Sequence, residues 1–371
     1  MENPIKGNIA ELVESLRKAK TERSAKTIES IILSIIKGTA TPVIDGDVAH
    51  FFYRSESGLS ISVIGDWNRW QRDVDMLLPL HPKSSLRFFS KSFPIDARLS
   101  YRFAIADGDS INDPLNPKTL QEVFGNNTYL QMPAYAGVEY WSEPSKAVAK
   151  GKLIELAVKG NRSVADRIVQ IYVPANLLLK GKQRFLYIND GAEAITVGKF
   201  TNVLDNLYHN EPNIAKAIVV FVPPVERHTE YIMSKQFSSW LSNDLLRQVE
   251  RKLKVTSSAE LRSVQGASLG GLLALHIGLN HYKKFRNIVA QSPSVWVDDA
   301  LIAAQFAKAK SLPLRFYLHT GTINDAEEGS RRLLRILQAK GYDVIYRETN
   351  ESHNWANWAG RYAEMLRWIG Q

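Results

Sequence analysis

The stretch SVQGASLGGLLALHIGL, residues 263–279, sets one serine, Ser268, among three glycines with an apolar run on either side. The run before the serine reads as a short buried strand, and the run after it reads as a helix. Gly266-Ala267-Ser268-Leu269-Gly270 fits G-x-S-x-G. In that pattern a serine rides a sharp strand-to-helix turn, and small neighbours let the two elements approach. So short a pattern also arises by chance, so its meaning rests on context. Here a strand precedes it, a helix follows it, and a third glycine, Gly271, leaves room beside the turn. Ser268 is therefore a candidate nucleophile. The Leu269 amide, at the helix N-terminus, is placed to donate to an oxyanion.

A nucleophilic serine needs a base, and the base needs an acid to orient it. Four histidines follow Ser268. His276 and His281 lie on or just after the next helix, too near in sequence to fold back over the serine. His319 lies within a strand. His353 sits in the polar loop NESHNWANWAG, between the last strand and the last helix, and is the candidate base. The acid is expected after the strand LRFYLHT, where GTINDAEEG offers Asp325, Glu327 and Glu328. Asp325 lies closest to the strand end. The glutamates suit the first turn of the following helix, where negative charge favours the dipole. Asp325 is the candidate acid.

Working outward, apolar strands alternate with amphipathic helices. The strands are RIVQIYVP, RFLYIND, KAIVVFV, LRSVQG, RNIVAQSP, LRFYLHT and VIYRET. The helices cover residues 237–253, LGGLLALHIGLN, ALIAAQFAKAK, EEGSRRLLRILQAKG and RYAEMLRWI. This alternation predicts a mostly parallel sheet flanked by helices over residues 146–371. The chain order serine, acid, histidine is that of an α/β hydrolase.

Upstream the period changes. Ile9, Leu12, Val13 and Leu16, then Ile28, Ile31, Ile32 and Ile35, fall at helical spacing. They predict a helix over 9–37, ended by Gly38, within an N-terminal helical segment 1–38. Residues 39–145 read as an all-β domain of short strands: AHFFYRS, LSISVIG, LRFFSKSFP, LSYRFAIAD and TYLQMP. IGDWNRWQRDVDMLLPL, YRFAIADG and NDPLNP resemble the immunoglobulin-like early-set sandwich that precedes the catalytic domain in glycogen branching enzymes and isoamylases. Trp67 and Trp70 are available there for stacking on sugars or for core packing. AYAGVEYWSEPSKAVAKGK, residues 134–152, reads as the join between the domains.

Composition narrows the rest. The 371 residues are 44% hydrophobic and 23% charged, as in a globular protein. No apolar run reaches the ~20 residues that span a bilayer, and no secretory leader is read at the start. Zero cysteines exclude disulfide and thiolate chemistry. The expected location is the cytoplasm, with no membrane partner. The net charge is +9, spread along the chain without a helix-turn-helix, zinc-finger or RNA-binding signature. That balance argues against nucleic acid and for an anionic small-molecule substrate or simply a solvated basic surface. Neither a metal site nor a cofactor is expected.

FLYINDGAEA, VPPVERHTEY, VQGASLGGLLA, QSPSVWV, HTGTIND and ESHNWANW together resemble the esterase D-like α/β hydrolases, and among these the enterochelin (enterobactin) esterases. The resemblance runs from Val48 to the C-terminus. It implies Ser268 as nucleophile, His353 as base and the loop around Asp325 as the acid segment. It also implies that Asp190-Gly191 precedes the second half of an oxyanion hole, at Gly191 and Ala192. Arg227 and Glu230 match an R-x-x-E stretch that lines the substrate pocket, with His228 beside them. The implied substrate is a ferric catecholate siderophore, a strongly anionic tri-ester of serine. Four positions depart from the family pattern, and the acid loop differs from it in length. Ala267 and Leu269 replace a glutamine and an aromatic beside the serine, and Glu351-Ser352-His353 replaces Gly-Gly-His. A carbohydrate acyl esterase, acting on acetyl or feruloyl groups, and a non-catalytic binding protein on a hydrolase fold are the alternative readings.

Overall fold

A computed structural model describes residues 8–55, 59–106, 108–123 and 125–371. Residues 1–7, at the start of the expected helical segment, lie outside the described residues, as does Asp107 at the end of the expected strand LSYRFAIAD. The chain divides into two compact units. The first runs to Ala136 and takes in Asn350–Ser352; the second comprises Gly137–Thr349 and His353–Gln371.

The first unit opens with two helices, Ile9–Arg17 and Glu22–Thr39, instead of the single helix expected over 9–37. The break has a local cause. Thr21 caps the second helix: its Oγ1 accepts from the Ser24 amide at 3.1 Å, and its own amide donates back to Ser24 Oγ at 3.3 Å. This reciprocal cap satisfies first-turn amides that a continuous helix would have paired internally. Gly38 lies inside the last turn, and the helix ends at Ala40 with φ 65°. Ile9, Leu12, Leu16, Ile32 and Ile36 are buried in one cluster with Val43, Phe52, Leu86 and Phe88. The N-terminal helices thus share a core with the strands that follow.

Those strands pair into two antiparallel sheets. One has the order Val43–Asp45, Val48–Arg54, Leu86–Ser92, Leu78–Pro79. The other runs Asp75–Met76, Ile61–Gly65, Arg98–Ile105, Gly125–Gln131, Thr119–Glu122, with Ser110–Ile111 paired to Arg98–Ile105. Aromatic rings from the two sheets meet: Phe51 packs on Tyr101 at 5.1 Å between centroids, and Tyr53 on Phe103 at 5.2 Å. Trp67 joins this core. Its ring lies 5.0 Å from Phe93, and its Nε1 donates to Asp75 at 2.6 Å. It is therefore committed to packing rather than presented for sugar stacking.

The second unit is built on one eight-stranded sheet. Numbered within it, the strands are β1 (Lys152–Val158), β2 (Arg167–Val173), β3 (Phe185–Asn189), β4 (Ile218–Val222), β5 (Arg262–Ala267), β6 (Asn287–Gln291), β7 (Arg315–Gly321) and β8 (Asp343–Thr349). Their spatial order is β1-β2-β4-β3-β5-β6-β7-β8. The pairs β1–β2 and β2–β4 are antiparallel, and the pairs from β4 through β8 are parallel. β3, β4, β5 and β6 are buried along their whole length, as strands covered on both faces must be. One buried cluster joins the sheet to helices Leu269–His281, Val297–Lys308 and Glu327–Ala339. A second joins it to Phe200–Asn210, Trp355–Ala359 and Tyr362–Gly370. Six parallel strands thereby end on a common side, where an open α/β sheet carries its ligand loops.

Candidate active site

Ser268 links β5 to the helix Leu269–His281 with φ 57° and ψ −122°, a conformation that side-chain-bearing residues rarely adopt. The surroundings hold it there. Its amide donates to Gln291 O at 2.9 Å, and its carbonyl accepts from the amides of Leu272 and Ser294, each at 3.1 Å. The turn is tight enough that a Cβ on Gly266 would lie 2.1 Å from Gly270 O. Only glycine fits at position 266. Ser268 is half-buried, and its Oγ lies 3.4 Å from Ser294 Oγ.

Asp325 and His353 arrive from the loops after β7 and β8. His353 Nδ1 lies 2.6 Å from Asp325 Oδ1. The aspartate side chain is fully buried, while the imidazole is 37% exposed. Every oxygen of the carboxylate is supplied with donors. The Ala326 amide bonds Oδ1 at 2.8 Å; Ser292 Oγ and the Gly321 amide bond Oδ2 at 2.7 and 2.6 Å; and Asn357 Nδ2 approaches Oδ2 at 3.3 Å. Burial alone would raise the Asp325 pKa, but the hydrogen bond and charge of His353, with those of Ser292 and Gly321, outweigh it and hold the carboxyl below its ordinary value. Trp358 closes this corner, its Nε1 donating to Ser292 Oγ at 2.9 Å and its ring meeting His353 edge-on at 5.2 Å. The structure thus brings Asp325 and His353 together. Among the described residues no hydrogen bond joins the Ser268 hydroxyl to His353; in unliganded sites such bonds are often long and tighten when substrate binds. Glu327 and Glu328 occupy the first turn of the helix Glu327–Ala339.

The loop after β3 reaches the same end of the sheet. Asn189 Nδ2 donates to Gly270 O at 3.0 Å, tying the end of β3 to the elbow helix. Asp190 is left-handed, with φ 55°, and starts the helix Gly191–Thr196. A Cβ on Gly191 would meet the Phe221 and Val222 backbone at 2.5 Å, so this residue too must be glycine. The amides of Leu269, Gly191 and Ala192 all belong to first turns, where no intrahelical acceptor exists. Arg227 grips Asp190 with two bonds, Nε to Oδ1 at 2.8 Å and NH2 to Oδ2 at 2.9 Å. The Asp190 amide donates to Tyr231 Oη at 2.8 Å. Burial drives the Tyr231 pKa well above its ordinary value, so the phenol stays neutral.

The residues matched by the R-x-x-E stretch separate. Arg227 is half-exposed and His228 exposed, whereas Glu230 is buried. Both Glu230 oxygens bind Arg167, at 2.7 and 2.9 Å, and that guanidinium also lies over the Phe237 and Trp240 rings. Glu230 is thereby a framework group, its carboxylate already engaged. His319 is fully buried in β7, where burial, then the nearby Arg361, depresses its pKa to about 3; His276 is depressed to about 4, first by burial. Both are neutral packing residues. Sequence reasoning passed over Ser292, Ser294, Asn357 and Trp358, which lie in the quoted segments QSPSVWV and ESHNWANW.

One end of the sheet thus carries a G-x-S-x-G turn between parallel strand and helix together with a buried aspartate on a histidine. The Esterase family matches residues 161–369, more than half of the chain, and the chain belongs to that family. It is a carboxylic ester hydrolase, and it resembles the enterochelin esterases. The Iron(III) enterobactin esterase of Escherichia coli O6:H1 is 25% identical over 191 residues, 50% of this chain and 47% of that protein. The Acetyl esterase of Caldicellulosiruptor saccharolyticus is 22% identical over 194 residues, 42% of this chain and 72% of the relative. The crystal structure of the Ferric Enterobactin Esterase of Salmonella typhimurium superposes with a TM-score of 0.73 at 19% identity, covering 88% of this chain and 95% of that one.

Proposed function

We propose that Ser268 is the nucleophile of an acyl-enzyme mechanism, with His353 as its base and Asp325 as the orienting acid. The observation that carries this reading is the 2.6 Å contact between His353 Nδ1 and a fully buried Asp325, at the sheet end that also holds the left-handed Ser268. The Ser268 hydroxyl adds to the ester carbonyl as His353 takes its proton. The imidazolium, stabilised by Asp325, then protonates the departing alcohol. Water repeats the sequence on the acyl-enzyme and frees the acid. The amides of Leu269 and of Gly191 or Ala192 receive the oxyanion, each worth ~3 kcal/mol at the transition state.

For substrate, we infer a ferric catecholate siderophore. The likeness to the ferric enterobactin esterase extends over 88% of the chain, and the two-sheet first unit suits an early-set domain. The net charge of +9 suits a polyanion. The acetyl esterase relative favours a second reading, a carbohydrate acyl esterase.

Two measurements test these readings. Ser268→Ala is expected to lower turnover of a simple chromogenic ester by at least about 10³-fold; unchanged turnover sinks the mechanism. A panel of ferric enterobactin against acetylated and feruloylated sugars separates the substrates, and a higher kcat/KM on the sugars favours the second reading.

A further inference from the structure

Trp296 is 72% exposed, although its neighbours Val295 and Val297 are buried at 1% and 6%. Its position is tightly defined. Ser294, two residues earlier, donates its amide to Ser268 O at 3.1 Å and sets its Oγ 3.4 Å from the Ser268 hydroxyl. Two residues of chain span at most ~7 Å, so the Trp296 backbone stands within that distance of a residue touching Ser268. On the far side, Val295 packs on the helix Glu327–Ala339: a Cβ on Gly329 would be 3.1 Å from Val295 Cβ. The loop is therefore pinned between the serine turn and the helix that follows the Asp325 loop. Immediately after Trp296, Asp298, Asp299 and Ala300 are all left-handed, with φ of 49°, 52° and 61°. Three consecutive residues with side chains in that region cost on the order of 1 kcal/mol each. Such strain persists only where the surroundings impose it.

A large apolar ring left in water, on a loop pinned two residues beyond a contact of the proposed nucleophile, suits a flat partner. An indole offers its face to another π-system, in an offset stack worth ~1 kcal/mol beyond area burial. We propose that Trp296 is the stacking platform for an aromatic ring of the ester substrate, on either the acyl or the alcohol side. It thus sets specificity for aryl over saturated esters. The inference rests on Ser268 being the nucleophile, because that assignment puts the substrate beside Trp296.

The test uses full-length chain on a Ser268→Ala background, so that binding is read without turnover. Dissociation constants are measured by ligand-observed NMR for two matched pairs: ethyl benzoate with ethyl cyclohexanecarboxylate, and phenyl acetate with cyclohexyl acetate. The expected result is about fivefold tighter binding of the aryl member of one pair. The preferred pair reports which side carries the ring. Trp296→Leu is expected to erase the preference and Trp296→Phe to keep it. No aryl preference in either pair, or one that survives Trp296→Leu, overturns the proposal. Because Ser268→Ala turnover is measured separately, failure of the platform and failure of the nucleophile assignment give different results.

Discussion

Asp325 is the most fully committed side chain of the site, a carboxylate with five donors around it. In the proposed mechanism its contribution is its charge, because Asn has a similar shape but offers an amide to the imidazole. Asp325→Asn is expected to lower kcat by about 10³- to 10⁴-fold with KM little changed, read from steady-state kinetics on a simple ester. A kcat within tenfold of the parent would remove Asp325 from its role. His319 supplies a pH signature of another kind. Its folded value of about 3 lies below the ordinary value near 6.5, so acidification protonates the unfolded chain first. The stability it contributes is present above about pH 6.5 and drains away at up to about 1.4 kcal/mol per pH unit as pH falls toward the folded value. Urea unfolding between pH 7 and pH 4 should show a shallower acid loss in His319→Gln than in the parent. Strand ends and chain order single out Ser268, Asp325 and His353 in the sequence, and the structure pairs the last two. Ser292 and Trp358 are not singled out, because they act through each other and through Asp325 across 66 and 33 residues of sequence. A lone serine or tryptophan in a loop carries no periodicity that announces such a partner.

The elbow illustrates how an element depends on one missing atom. The helix Leu269–His281 is buried from Leu269 to Gly278, so it has no solvent side toward which to shift when its first turn is crowded. Gly266→Ala puts a methyl group into the Gly270 carbonyl, and the backbone must yield. Denaturant unfolding is expected to show a loss of at least about 2 kcal/mol, accompanied by a fall in kcat as the Ser268 turn opens. A variant as stable as the parent would mean that the turn relaxes freely. The alternation of strand and helix from Arg167 onward was readable because β3, β4, β5 and β6 are wholly buried and β3 and β4 carry continuous apolar runs. β1 was missed: Lys152–Val158 is a largely exposed edge strand continuous with the polar join. The helix Phe200–Asn210 was missed for a different reason. Phe200, Val203, Leu204, Leu207 and Tyr208 have helical spacing, but Thr, Asn and Asp between them are weak helix formers, and burial overrides that preference. The capping pair Thr21 and Ser24 likewise divides a stretch whose apolar spacing alone reads as continuous.

At the scale of the whole molecule, charge is a property no single contact displays. Ion pairs cancel locally, yet a net +9 remains and acts over the Debye length, ~10 Å at 0.1 M salt. For an anionic ester, kcat/KM is expected to fall about fivefold between about 0.01 and 0.5 M salt, while that of a neutral ester stays level. Stopped-flow or initial-rate measurements across that series check it, and parallel responses of the two esters would show that the charge plays no part in capture. The eight-stranded sheet, being open, also ends in two edges. β1 carries Lys152 and Glu155 on one edge. On the other, β8 engages Asp343 with Arg315 at 3.0 Å, Glu348 with Arg331 at 2.6 Å and Arg347 with Glu364 at 2.6 Å. A strand from a second chain joining either edge would have to strip water from these charges. Lengthening the eight-stranded sheet by strand addition at these positions therefore costs the desolvation of charged groups.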